Sequence, residues 1–352
     1  MNEINFKLHK QLQQVKPAIK AKVISTGSYL PPQRVTSDDI MSEIQTERLY
    51  GIPHNWMSDS MGIIERRMVS LETTPSDLAI KAAQDAFEST PDFDTQLIDA
   101  VIFCGIERDM PEPATAHIIQ NTLGLKAQHV FDVANACCGF FDGLKLASNL
   151  IESGAIKYAL IVTGEITTKM SRLLIQQLKK GVSPEEAKHM WGMLSVGDAG
   201  GAIVVGQSTD GQSGFMKFNQ QSESKHFDLC NYQWGHDGTV KAHMNMGQIV
   251  ARGLKLNKKV YRETLDELEW QGVDWAIAHQ TGETAFQHAM NLHGLNENKI
   301  IKTYPMLGNI TTATLPVSFQ KLFKSANVKP KDRIGGLFAG SGLVAGQFGY
   351  IV

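Results

Sequence analysis

Two cysteines stand side by side at 137 and 138, between an apolar stretch ending in Asp-Val-Ala-Asn-Ala and a run opening Gly-Phe-Phe-Asp-Gly. A thiol attacks as its thiolate, and the free N–H groups at the start of a helix stabilise that anion. At a turn from buried strand into helix, Cys137 and Cys138 are expected to have a lowered thiol pKa. They are also expected at the edge of a sheet, where open α/β folds bind ligands. A nucleophilic thiol needs a partner to activate it and donors to hold an oxyanion. His279 follows the apolar run Asp-Trp-Ala-Ile-Ala, with Gly282 opening a helical stretch behind it. Asn309 stands in a Gly-Asn turn ahead of Thr311, Thr312 and a further helix. Each also has a plainer reading: free cysteines are commonly small buried hydrophobes, and His and Asn serve in turns. Residue types alone leave both readings open.

The remaining candidates are weaker. His226, Cys230, His236 and His243 match no zinc-ligand spacing, so no metal is expected. The Gly-rich segments 197–201 and 340–342 lack the Lys and Ser/Thr of a phosphate loop. With 34 Lys and Arg against 36 Asp and Glu, the net charge of −2 argues against a nucleic-acid partner. Four cysteines are too few for a disulfide framework, and no run of roughly 18 apolar residues is present. The expectation is a cytoplasmic α/β protein without a membrane span.

The elements that must position these residues alternate regularly. Apolar runs at 97–106, 129–136 and 158–166 read as buried strands, and 76–86, 113–123 and 139–154 as helices closed by glycine or polar residues. The 352 residues correspond to about two domain-sized units. A mixed arm covers 1–20. A first half runs over 21–206, with a helical insertion near 166–195 in which Ser183-Pro184-Glu185-Glu186 forms a capping box. A second half covers 207–352, with 207–245 read as a connector. Gly-rich turns run into β-branched strands at 197–206 and at 340–352, which hints at a duplicated unit.

Taken together, Asp-Val-Ala-Asn-Ala-Cys-Cys-Gly-Phe, Ala-His-Gln after an apolar strand, and Gly-Asn before small residues resemble the Cys/His/Asn centre of the thiolase superfamily. Within it they resemble the ketoacyl-ACP synthase III branch. Thr-Gly-Ser-Tyr-Leu-Pro-Pro (26–32), the segment 56–67, Ser-Val-Gly-Asp-Ala-Gly-Gly (195–201) and the terminal Gly-Ser-Gly-Leu follow in the family's order from residue 21 onward. The resemblance implies a duplicated five-layered α-β-α-β-α core and a homodimer needing no cofactor. It implies that Cys137 accepts an acyl group, that His279 and Asn309 polarise the thioester oxygen, and that the N–H groups of Cys137 and Ser341 form the oxyanion hole. Cys138 and Phe140 would line the pocket, and Trp56 would stack on the adenine of CoA, although Ser60 replaces the usual assisting Arg.

Two departures bear on the reaction. Glu112 stands where fatty-acid-initiating synthases carry an apolar residue that reaches into the partner's pocket. A carboxylate there is similar to the OleA-type enzymes that condense two acyl chains head to head, and to pyrone- and resorcinol-forming ketosynthases. It implies a Claisen condensation of two acyl thioesters, long-chain acyl-CoA by expectation, with Glu112 of the other subunit as base. The alternatives are a decarboxylating ketoacyl-ACP synthase III using malonyl-ACP and a non-catalytic partner subunit. The second departure is that the stretch after His279 holds Glu283 and no Lys or Arg before Asn291. Docking of an acidic acyl carrier protein would then fall elsewhere, with Lys169, Arg172, Lys179 and Lys180 of the insertion as candidates and a solvated helix face as the plainer reading.

Overall fold

The computed structural model describes residues 19–208, 210–325 and 327–352, so the expected N-terminal arm lies outside the described residues up to position 18. Strands β1 (Lys20–Tyr29), β2 (Ala100–Cys104), β3 (His129–Val133), β4 (Tyr158–Glu165) and β5 (Ala199–Ser208) build the first sheet, in the order β1-β5-β4-β2-β3. β4 reads Tyr-Ala-Leu-Ile-Val-Thr-Gly-Glu and is buried on both faces, as a continuous run of β-branched and apolar residues demands. Strands β6 (Gly214–Ser222), β9 (Trp275–Ala278), β10 (Arg333–Gly340) and β11 (Val344–Ile351) form the second sheet, in the order β9-β10-β11-β6. β7 (Cys230–Trp234) and β8 (Val240–Met244) make a separate hairpin.

The second sheet repeats the pairing of the first. β1 runs antiparallel to β5 and β5 antiparallel to β4, with β4 parallel to β2. Likewise β6 runs antiparallel to β11 and β11 antiparallel to β10, with β10 parallel to β9. The fifth position, filled by β3 in the first sheet, shrinks in the second to one parallel bridge between Ala276 and Ile300. The segment 207–245 is therefore more than a connector, since it supplies β6 and the hairpin. Its Gln, Asn and Ser residues hide the strand because β6 pairs on one side only and is half-buried along most of its length.

Helices complete five layers. α1 (Pro75–Glu88) and α2 (Thr115–Leu123) cover the outer face of the first sheet, and α6 (Met246–Glu267) and α7 (Glu283–His293) that of the second. Between the sheets lie α3 (Gly139–Glu152) and α8 (Thr314–Lys324), whose Phe141 and Phe319 pack on Phe338 and Phe348 of the second sheet. The insertion holds α4 (Thr168–Lys180) and α5 (Pro184–Met190), the latter opened by the expected Ser183–Glu186 capping box. Its Leu174, Leu178, Met190 and Trp191 pack on Ile40, Met41 and Ile44. Asp198, in a Gly-rich segment that resembles a phosphate loop only in composition, is fully buried. Its carboxylate accepts the N–H groups of Val69 (2.9 Å), Thr167 (2.6 Å) and Thr168 (3.2 Å), so it ties the start of α4 to the sheet.

The helix α1 lies backbone-on against a pad of glycines from three strands. A Cβ on Gly27 would stand 2.0 Å from the Ala82 oxygen, one on Gly164 1.9 Å from the Pro75 oxygen, and one on Gly200 2.3 Å from the Leu78 oxygen. Backbone cannot yield as a flexible side chain can, so Gly164→Ala is expected to destabilise by about 1–3 kcal/mol or more. Gly272→Ala, where nothing stands within 4 Å, should stay within about 0.5 kcal/mol. Urea denaturation of both variants checks this.

Candidate active site

The strand β3 ends at Val133, and the chain then makes a tight elbow before α3. Ala136 takes φ 43°, the Cys138 N–H donates to Asn135 O (3.0 Å), and the Gly139 N–H donates to Ala136 O (3.0 Å). Cys137 sits on this elbow, half-buried, one residue before the Cys138 N-cap of α3. His279 follows β9, held by its N–H to Leu337 O of β10 (2.9 Å). Asn309 precedes α8; its N–H donates to Ser195 O (2.9 Å) and its carbonyl accepts the Gly197 N–H (3.1 Å). The Asn309 Oδ1 accepts the Thr311 N–H (3.0 Å), which leaves the Nδ2 amide as its free donor end. Ser341 lies on the turn between β10 and β11. Gly340 brings that turn onto the elbow, since a Cβ there would stand 3.1 Å from the Cys138 Sγ and 3.3 Å from its N.

These four residues, far apart in sequence, border one cavity of about 160 Å³. Its other walls are mostly apolar: Met246, Ile249, Val250 and Leu254 of α6, and Ala285 and Ala289 of α7. Cys230 and His226, unpromising as metal ligands, also border it. Glu112 does not; it lies on an exposed loop before α2. Cys138 and Phe140 are fully buried in the core between the sheets and do not border the cavity. Trp56 begins a short helix (Trp56–Met61), packs half-buried beside the insertion and is likewise absent from the lining. Of the insertion's basic residues, Arg172 and Lys179 pair with Glu43 (3.3 and 3.5 Å) and Lys169 stands over the Trp234 ring (4.9 Å).

Two family models match the chain: 3-oxoacyl-[acyl-carrier-protein] synthase III over 131–224 and its C-terminal counterpart over 265–348. Together they span just over half of it. The β-ketoacyl-[acyl-carrier-protein] synthase III of Alkalilimnicola ehrlichii is 28% identical over 341 residues, covering 92% of this chain and 98% of the relative. A variant of Xanthomonas campestris OleA superposes with a TM-score of 0.88 at 25% identity, over 95% of this chain and 99% of that one. Another, solved with bound lauric acid and lauroyl-CoA, gives 0.87 at 26% identity, over 95% and 99%. The chain belongs to the thiolase-superfamily condensing enzymes. It is an acyltransferase of the ketoacyl-ACP synthase III and OleA type, and its five layers are the thiolase fold that the motifs implied.

For a condensing enzyme the resting electrostatics are instructive. Burial lowers the His279 imidazole to about 4, and its Nδ1 has no hydrogen-bond partner among the described residues. Burial also raises the Cys137 thiol well above its ordinary value, with the neighbouring Cys230, Cys138 and Glu165 adding to the effect. The expected lowering of this thiol is thus reversed: desolvation of the sulfur outweighs the donors at the helix start, which opens two residues later at Gly139. At neutral pH the thiol and the imidazole are both uncharged. Alkylation of Cys137 by iodoacetamide should therefore be slow at pH 7 and still rising at pH 9, and His279→Ala should not shift that profile between pH 5.5 and 8. Mass spectrometry of the Cys137 peptide in a Cys138→Ala background measures it; a midpoint near pH 6.5 would show a stabilised thiolate instead.

Proposed function

We propose that this enzyme joins two acyl thioesters by Claisen condensation through an acyl-Cys137 intermediate, with long chains from acyl-CoA as substrates. The observation that carries the reading is the shared cavity: a thiol, an imidazole, an amide donor and a Gly-Ser-Gly turn border it, and alkyl side chains make up most of the remaining wall. Acylation takes the chain onto the sulfur and releases the CoA thiol. The second thioester, having lost an α-proton to the base, then attacks the acyl carbonyl. The new C–C bond forms as the C–S bond to Cys137 breaks, and the released sulfur takes up a proton to restore the thiol. Negative charge develops on oxygen in both steps. The N–H groups of Cys137 and Ser341 serve the acyl oxygen, and neutral His279 with the Asn309 amide serves the enolate, as fixed dipoles in a dry pocket. The covalent intermediate divides the reaction into two easier halves.

Glu112 distinguishes this reading from a decarboxylating synthase. A second substrate without a carboxylate to lose requires a base, and we assign that role to Glu112 of the other subunit in a homodimer. The solved OleA relatives include variants of a cysteine, a histidine and a glutamate, the same three residue types. CoA rather than a carrier protein is favoured as donor because α7 carries no Lys or Arg, and of the insertion's four basic candidates Arg172, Lys179 and Lys169 are already engaged while Lys180 stands exposed. The curated relatives, which are carrier-protein synthases by name, support decarboxylating extension of malonyl-ACP as the second reading.

Lauroyl-CoA incubated with the enzyme should add one lauroyl group to the Cys137 peptide, and Cys137→Ala should add none. With excess acyl-CoA, the product should be a β-keto compound of two chains without CO₂ release. Glu112→Ala should keep acylation within about twofold while lowering condensation by at least 100-fold. Products formed only with malonyl-ACP, or full condensation by Glu112→Ala, would replace this reading with the decarboxylating one.

A further inference from the structure

Glu165 closes β4 beneath the nucleophile elbow and takes no part in the chemistry set out above. It is buried at 1% exposure, and one carboxylate oxygen accepts the Ile106 N–H (3.2 Å) and the Thr312 hydroxyl. Thr312 in turn pairs with the Thr163 hydroxyl (2.7 Å), so a chain of two hydroxyls from β4 and the Asn309 turn ends on one carboxyl. Thr312 also stands close to the start of α3, since a Cβ added to Gly139 would lie 3.4 Å from its Cγ2. Asn309 is three residues upstream, locked by its own bond to the Thr311 N–H, and Thr311 holds φ 46°. One carboxyl thus ties together the amide turn, the end of a central strand and the segment after β2 at Ile106, close to the start of the nucleophile helix.

We propose that Glu165 is a positioning residue that anchors the Asn309 turn through Thr312 and sets the charge felt by the Cys137 sulfur. Burial raises its carboxyl to about 7 against the hydrogen bonds that favour the anion. The titratable groups near it are Glu107 and Tyr232, whose hydroxyl donates to the Glu107 carboxylate, together with Cys104 and Cys137. No cation balances it in that set. Ionised, Glu165 opposes a thiolate at Cys137; neutral, it keeps the hydroxyl chain and removes the opposition. The stability consequence has a fixed sign. A carboxyl whose folded pKa stands above its ordinary value of 4.5 contributes fully below that value, and the contribution is lost as pH rises through about 7.

The proposal rests on Cys137 being the acyl acceptor, and the test separates the two. Glu165→Gln keeps an acceptor for Thr312 but cannot ionise, whereas Thr312→Val breaks the tie and leaves the carboxyl. Iodoacetamide alkylation of Cys137 should be at least threefold faster in Glu165→Gln than in wild type at pH 8, and equal at pH 5.5. The melting temperature of Glu165→Gln should exceed that of wild type at pH 8, and the gap should close below pH 5. Thr312→Val should lower kcat for condensation at least tenfold with KM within twofold. Coincident wild-type and Glu165→Gln profiles for alkylation and melting would overturn the electrostatic role. Unchanged kcat in Thr312→Val would overturn the positioning role. Failure of acyl-CoA to label wild-type Cys137 would instead strike the condensation reading and leave the alkylation test intact.

Discussion

The helices α3 and α8 have a sheet on each side, and the placement of the active site follows from that confinement. Such helices must be apolar around most of their circumference and narrow where backbones approach. The buried positions of α3 accordingly run Gly139, Phe140, Phe141, Gly143, Leu144, Ala147, Ser148 and Ile151. A methyl at Gly143 would stand 2.3 Å from the Cys104 Sγ. Both helices begin at the same end of the double sheet, because Thr312, just before α8, lies against Gly139 at the start of α3. The thiol ahead of one helix and the amide ahead of the other therefore meet without any loop long enough to wander. His279 arrives from β9 of the second sheet, and Ser341 from the turn after β10. Each half of the molecule is incomplete as a site; the shared helical layer joins them.

The same confinement explains the electrostatics. Enclosing the thiol and the imidazole removes the water that would support charge on either, so both rest neutral. For a reaction whose charge appears on a substrate oxygen, this is an asset. A permanent thiolate–imidazolium pair would bind counter-charges in the ground state, whereas neutral dipoles act chiefly when the oxygen becomes negative. The apolar wall from α6 and α7 strengthens that effect by keeping the effective dielectric low.

Much of this was legible in residue order. Apolar and β-branched runs mark β2 to β5, although β3, expected to be buried, is an edge strand exposed at His129 and half-buried from Val130 to Val133. Glycines and caps bound the helices, and the Cys-Cys-Gly-Phe elbow lies where a strand has to turn. The features that residue order hides are hidden for physical reasons. Edge strand β6 reads Gly-Phe-Met-Lys-Phe-Asn-Gln-Gln-Ser, polar because only part of it meets a core. The lining residues of α6 are spread among Arg252, Lys255 and Lys259, so the helix reads as a solvated one until its other face is seen to border the cavity. Glu165 follows Val-Thr-Gly and looks like the polar end of a strand; only the enclosing Asn309 turn makes it a buried acid. The raised thiol pKa is not legible in residue order, because a helix start is a local feature whereas desolvation depends on every element packed around the sulfur.

The composition of the cavity also frames the choice between the two condensation chemistries. Among the described residues that border it there is no Asp, Glu, Lys or Arg. Its titratable groups are Cys137, Cys230, His226, His279 and His293, and burial lowers both His279 and His293. A malonyl donor needs nothing more, because loss of CO₂ leaves the enolate behind and the site has only to stabilise it. A donor with two α-hydrogens needs a group that can hold a proton, and a histidine titrating near 4 is a poor acceptor at neutral pH. On the condensation reading proposed above, one subunit supplies the groups for acyl transfer and enolate stabilisation but no carboxylate to act as base. A carboxylate entering a dry apolar space would gain basicity from the desolvation that already governs His279 and Cys137. Glu112 stands on the exposed loop before α2, outside that lining, so the base role proposed for it requires this loop to meet the cavity of another subunit.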